Sequence, residues 1–489
     1  MTENEVSLLK PNHLWKRFYE ITQVPRPSKK EEKIRAYLKK LLSELNVKYK
    51  EDRIGNILAN VPATPGYENA PTIVLQGHVD MVCEKNRDIK HDFENDPIKV
   101  SVKDGWVIAD GTTLGSDNGI GIAASLAMVT DKDVVHGPLE ILMTVDEETG
   151  LTGATNLEPG FITGKMLLNL DSEEDGAFYI GCAGGIDTVA TFTTKQEKVN
   201  PAWSSYKLVV DGLKGGHSGL DIIHGRGNAI KLLGRTLKKL DKFDYRIANL
   251  GGGSLRNAIP RDAEAVLSMD KSHSNNVKKL IADFQKKVLK EYKSVDDGLR
   301  IRFEEDSSDF NKVYTRKFST SIIDVILALP NGVISMNHNI PGLVDTSTNL
   351  ATIKSFNGNL RIGTSQRSSS TTQKDYISES IASVFRLASA DIDIGDGYPG
   401  WEPDLDSTLL KVSKEVFNSL FNKEPQIKAI HAGLECGILE TKNPGMEMIS
   451  FGPTIQNAHS PTERVNIETV DKFYRLLKKL LEELAKIGK

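Results

Sequence analysis

The chain has 489 residues, with 62 Lys plus Arg against 66 Asp plus Glu and a formal net charge of −4. That mild acidity argues against a general nucleic-acid binder, which needs a basic footprint, and leaves room only for a small local basic patch. Apolar residues at 39% and charged ones at 26% describe an ordinary soluble chain, long enough for more than one domain.

The first residues, Met1 to Glu5, are acidic and lack the apolar core of a signal peptide. The longest apolar stretches, 119–129 and 322–329, fall well short of the roughly 20 residues a membrane span needs. Cys83, Cys182 and Cys436 are odd in number and far apart, which suggests a reducing compartment and gives no zinc-finger spacing. A cytoplasmic protein is expected.

In chain order, Ser28-Lys29-Lys30-Glu31 has the pattern of a capping box. The helix after it places Ile34, Tyr37, Leu38, Leu41 and Leu42 on one face. Strands are predicted over 73–75, 139–145 and 165–170, with a Gly/Ala-rich buried helix over 118–129. Strands separated by helices imply an α/β domain with a mixed, mainly parallel sheet flanked by helices.

After about Gly185 the pattern changes to α+β. Strands are predicted over 206–210, 264–269 and 299–304, with helices over 225–240 and 273–292. A similar series follows: a helix over 320–329, strands over 344–353 and 358–367, and a helix over 371–388. From about Trp401 the chain reads like the first domain again. It ends in a helix over 468–487 with a regular Leu stripe, capped by Gly488. The expected organisation is a catalytic domain in two parts, 1–184 and 395–489, interrupted by an α+β lid over 185–394.

Five short motifs carry the chemistry: Gly77-His78-Val79-Asp80, Gly115-Ser116-Asp117-Asn118-Gly119, Asp146-Glu147-Glu148-Thr149-Gly150, Leu170-Asp171 and Ala458-His459-Ser460-Pro461-Thr462-Glu463. Four of them fall at or just after predicted strand ends, where open α/β sheets bind ligands. Two imidazoles with several carboxylates make a hard N/O donor set suited to zinc, manganese or cobalt, and their number suits two ions. His78 and Asp80 are two apart on an extended segment and share a face, so Asp80 can hold the ring nitrogen that His78 does not offer to a metal. Glu147 and Glu148 can divide their roles, one binding metal and the other acting on a water. Without a cation, so many carboxylates would repel one another.

These motifs, with His431-Ala432-Gly433-Leu434-Glu435-Cys436-Gly437, occur in family order. The chain resembles the zinc-dependent co-catalytic metallopeptidases that include aminoacylases, carboxypeptidase G-type enzymes and dipeptidases, over essentially its whole length. The resemblance implies Asp117 as a carboxylate bridging two metals, His78 and Asp171 on one ion, and Glu148 and His459 on the other. It also implies Asp80 as the residue orienting His78, Glu147 as general base, and a cis peptide between Asp117 and Asn118.

The implied activity is hydrolysis of dipeptides, Xaa-His among them, with two divalent ions, zinc first and cobalt or manganese as alternatives. The implied partners are small peptides, with neither nucleic acid nor membrane. A monomer and a homodimer both remain open. A deacylase or carboxypeptidase on the same fold is the alternative.

In the lid, Lys214-Gly215-Gly216-His217-Ser218-Gly219 matches the family motif whose His holds the substrate carbonyl. Arg367, at a predicted strand end, is a candidate for the substrate carboxylate, and Asn257 a further candidate of that kind. Glu435 either receives a substrate amine or has a local structural role. Gly251-Gly252-Gly253 is expected in a hairpin or loop.

Overall fold

The structure is a computed structural model that describes residues 4–487, so the expected Gly488 cap and the first three residues lie outside it. The chain divides into two compact units. One comprises Met1–Gly181, Trp401–Ala429 and Leu434–Lys489, and the other Cys182–Gly400 with Ile430–Gly433.

The first unit is built on an eight-stranded sheet in the order Lys48–Glu51, Ile57–Val61, Leu139–Thr144, Ile73–His78, Met166–Asn169, Glu447–Ser450, Ala177–Cys182 and Gln426–Ile430. The central four strands are parallel. The sheet turns antiparallel to either side of them. At one edge the reason is local. Asp52 Oδ1 accepts from the amides of Ile54, Gly55 and Asn56, closing a tight turn between Lys48–Glu51 and Ile57–Val61. The strand Ile73–His78 is buried along its whole length, as a central parallel strand requires.

The expected capping box does not form. Ser28 Oγ donates to Asp80 Oδ2 at 2.8 Å, and Glu31 Oε1 accepts from the amides of Lys29 and Asp146 at 2.7 and 3.2 Å. The helix Glu32–Glu44 therefore starts without a side-chain cap. A buried carboxylate 52 residues away has displaced the local partner. The Gly/Ala-rich helix spans Ser116–Thr130, but Asp117 and Asn118 depart from helical geometry and the peptide between them is cis.

The second unit holds a nine-stranded sheet in the order Arg300–Glu305, Ser204–Asp211, Ala263–Met269, Tyr245–Gly252, Val344–Phe356, Asn359–Ser368, Gly184–Thr193 and Asp391–Ile394, with Gly332–Met336 paired to Val344–Phe356. Strands from both predicted α+β series join this one sheet. The helices Ala229–Lys239, Ser274–Tyr292, Arg316–Ala328 and Thr371–Leu387 contribute Leu233, Ile281, Ile326 and Phe385 to its core.

Gly251 and Gly252 belong to a strand rather than a loop, pairing with Glu264 and Ala263 on one side and with Lys354 and Ile353 on the other. The return to the first unit comes at Trp401, not at 395. Tyr398 keeps the preceding residues in the second unit: its backbone exchanges hydrogen bonds with Gly185, and its hydroxyl accepts from Arg367 Nη1 at 2.7 Å.

Candidate metal centre

The first unit brings His78, Asp80, Asp117, Glu147, Glu148, Asp171 and His459 together. His78 ends the central strand, with Asp80 two residues on, and Asp171 follows the neighbouring strand Met166–Asn169. Asn118 Nδ2 donates to the Leu170 carbonyl at 2.7 Å, fastening the Asp117 turn to that neighbour. Gly77 makes this approach possible, because a Cβ there would strike the Asn118 amide.

Asp117 sits at the middle. Its Oδ1 lies 3.1 Å from His78 Nε2, and its Oδ2 lies 3.0 Å from His459 Nε2. His78 Nε2 also faces Asp171 Oδ1 at 3.4 Å, and His459 Nε2 faces Glu148 Oε2 at 3.1 Å. Two three-residue donor sets result, His78–Asp117–Asp171 and Asp117–Glu148–His459, each with ligand atoms within 4.8 Å of one another. Glu147 forms a further such set with His78 and Glu148. Asp171 Oδ1 and Glu148 Oε1 are buried without a hydrogen-bond donor. A hard divalent cation on each side of Asp117 fits this donor set, and it would satisfy oxygens that the protein leaves bare.

The electrostatics agree. Burial alone would lower the His78 pKa, yet Asp171, Asp117 and Asp80 hold it well above the usual value. His459 is pushed up to about 11 by its hydrogen bonds to Asp117 and Glu148. Burial raises Asp171 to about 6, against the pull of His78. Burial, with Asp171, Glu435 and Glu148 nearby, raises Glu147 well above an ordinary glutamate despite His78. These carboxylates seek positive charge, as protons on His or as metal ions.

Asp80 has a second task. Its Oδ1 is 3.2 Å from His78 Nδ1 and accepts the Glu147 amide at 3.1 Å, while Oδ2 accepts the Glu148 amide at 3.3 Å. One buried carboxylate thus stands against the ring of His78 and fixes the turn carrying the two glutamates. Burial opposes its charge, but His78, Ser28 and the Glu147 amide bring its pKa down to about 2.

Asp146 heads one of the five motifs, but its residue type and place there assigned it no role. It takes a left-handed backbone conformation, and its carboxylate accepts from the hydroxyls of Thr149 and Thr152, shaping the turn. The spacing of the two threonines after it was the available signal.

Glu435 lies in the same unit. Its Oε2 accepts from Gln76 Nε2 at 2.6 Å and Thr144 Oγ1 at 2.7 Å, and burial raises its pKa to about 7. It joins the strands that carry His78 and the Glu147 turn.

The remaining candidates, His217, Asn257 and Arg367, lie in the second unit. His217 Nδ1 accepts from the amides of Gly219 and Leu220 at 3.3 and 3.1 Å, which places the ring proton on Nε2. Burial and the charge of Arg367 lower its pKa, so the ring is a neutral donor. Arg367 is buried, and its Nε has no hydrogen-bond partner. Asn257 is exposed, and its carbonyl accepts the Ser218 amide at 2.8 Å.

Residues 74–483 match the model of the peptidase family M20/M25/M40. The chain belongs to this family. It is 41% identical over 482 residues to the cytosol non-specific dipeptidase of Escherichia coli (strain K12), covering 98% of this chain and 99% of that protein. The crystal structure of aminoacylhistidine dipeptidase from Vibrio alginolyticus superposes with a TM-score of 0.92 at 40% identity, covering 98% of each chain. The aminopeptidase PepT of Bacillus cereus shares the fold at a TM-score of 0.59 and 18% identity, over 98% of this chain and 100% of that one. No helix among the described residues is long and apolar enough to cross a membrane.

Proposed function

We propose that this M20 peptidase is a cytoplasmic dipeptidase that hydrolyses free dipeptides, Xaa-His among them, with two zinc ions. The observation that carries the two-ion reading is the position of Asp117, whose two oxygens each face one histidine and one further carboxylate's donor set. His78, Asp117 and Asp171 would hold one ion, and Asp117, Glu148 and His459 the other. When bound, such a pair acidifies water and polarises a carbonyl.

The protein's own groups do the rest. Glu147, already reluctant to ionise, takes the proton of the attacking water and hands it to the leaving amine nitrogen. Asp80 keeps His78 Nδ1 engaged, so that Nε2 stays turned toward Asp117. His217 Nε2–H donates to the carbonyl oxygen as it gains negative charge. Arg367, a buried guanidinium with an unused Nε, takes the substrate carboxylate, with Asn257 assisting. Glu435 Oε2 is held by Gln76 and Thr144, while its buried Oε1 has no hydrogen-bond partner, so the structural role and that of receiving the substrate amine both stay open.

The test is one assay. Protein stripped with chelator and restored with zinc, manganese or cobalt is given dipeptides, tripeptides and N-acetylated dipeptides. Zinc-restored cleavage of free dipeptides is expected. Cleavage of the N-acetylated substrates alone would overturn the dipeptidase reading in favour of a deacylase.

A further inference from the structure

We propose that Arg26 and Glu463 are positioning residues of the metal centre: a buried cation and anion that lock the three ligand-bearing segments 78–80, 115–117 and 459–463 into register and so set how tightly the ions are held. The proposal rests on the two-ion reading above and assigns residues that reading does not use.

Glu463 follows His459 by four residues and is only 3% exposed. Its Oε2 accepts from the amides of Leu114 and Gly115 at 2.8 and 3.0 Å. Its Oε1 accepts from the amides of Ser116 and Asp117 at 2.8 and 3.3 Å and from Ser116 Oγ at 2.6 Å. Four successive amides therefore wrap one carboxylate, and the last belongs to Asp117 itself. Gly115 makes the wrap possible with a left-handed φ of 70°.

Arg26, 2% exposed, completes the clamp from the other side. Its Nη1 donates to the carbonyls of Val79 and Asp80 at 2.9 and 2.7 Å, and its Nη2 donates to the Gly115 carbonyl. The Gly115 residue is thus gripped twice, its N–H by Glu463 and its C=O by Arg26. A Cβ on Gly119 would come within 2.7 Å of the same guanidinium, so the space is shaped around it.

The clamp matters because of what an ion does to its ligands. His459 and Asp117 touch directly at 3.0 Å. An ion placed between them replaces that contact, so the spacing of the two segments must be fixed elsewhere. Glu463 fixes it on the His459 loop, and Arg26 ties the result to the His78 strand end. Arg26 also puts a permanent positive charge beside a group of carboxylates that repel one another. A donor set held at the right spacing before binding loses less freedom when the ion arrives.

The experiment is a Zn2+ titration of the chelator-stripped full chain against a colorimetric chelator, with melting curves to establish folding. Wild type binding fewer than two ions would refute the two-ion reading itself. With two ions in wild type, Glu463→Gln and Arg26→Lys should each weaken zinc binding by about tenfold to a hundredfold while the chain stays folded. Ser116→Ala removes one of the five donors, and it should weaken binding by a smaller factor with the melting temperature nearly unchanged. Folded variants that hold both ions with wild-type affinity would overturn the proposal. If Glu463→Gln does not fold, Arg26→Lys and Ser116→Ala are judged by the same criterion.

Discussion

The candidate site histidines of the first unit and His217 and His431 of the second are driven in opposite directions. In the first unit, His78 and His459 stand among carboxylates that hold their pKa values far above the usual range. In the second, burial and then Arg367 push His431 down to about 3 and lower His217 as well. One region is short of positive charge and the other carries a buried cation without a carboxylate partner among the described residues. The first suits a cation, and the second suits an anion together with neutral imidazole donors. Residue type alone does not separate these cases. The charges packed around each ring do.

Breaking the first region at its base should give the largest effect. Glu147→Ala should retain two zinc ions by metal analysis while turnover falls by about 10²–10⁴. Near-wild-type turnover would remove Glu147 from the mechanism. In the second region, His217→Ala should lower kcat by about 10²–10³ with little change in KM, as expected for a donor that acts on developing charge.

Arg367→Ala should raise KM by about tenfold to a hundredfold, the worth of a hydrogen bond to a charged group. Dipeptide amides, which lack the carboxylate, should not notice the change. An equal loss on the amides would contradict carboxylate binding and point to a packing role.

The depressed His431 gives a pH signature. Its Nε2 is 2.7 Å from Ser347 Oγ, and the folded ring stays neutral down to about 3. The unfolded chain takes up that proton near the ordinary histidine value of about 6.5. Stability from this group is therefore complete above about 6.5 and falls as pH drops toward 3. His431→Asn should flatten that part of a urea-stability profile relative to wild type, and an unchanged profile would count against it. The smallest effect expected is from Ser28→Ala. It loses one hydrogen bond to Asp80, about 1 kcal/mol in denaturant unfolding, while Asp80 keeps its two backbone donors.

The candidate residues His78, Glu147, Glu148 and Asp171 were legible because they stand in short motifs at or just after strand ends, and strand ends could be read from apolar runs, whereas Asp117 opens the helix Ser116–Thr130. The two donor sets around Asp117 come from the return of the chain to the first unit, which brings His459 to Asp117 across 342 positions. The missed features share a cause. Ser28 looked like a cap because its local pattern is that of a cap, yet its partner lies far along the chain. Arg26 stands before a proline in a segment without periodicity, and its contacts to Val79, Asp80 and Gly115 leave no local trace. Glu463 lay inside a quoted motif but gained its meaning only from four amides on another segment. Gly251 and Gly252 read as a turn because glycine weakens a strand, whereas here strands on both sides hold them.

The most direct test of the two-ion centre is a crystal structure of the zinc-loaded protein with anomalous data at the zinc edge. The account predicts two peaks about 3.5–4 Å apart, one on each side of the Asp117 carboxylate, with His78 and Asp171 on one and Glu148 and His459 on the other. A single peak, or two peaks that do not share Asp117, would contradict it.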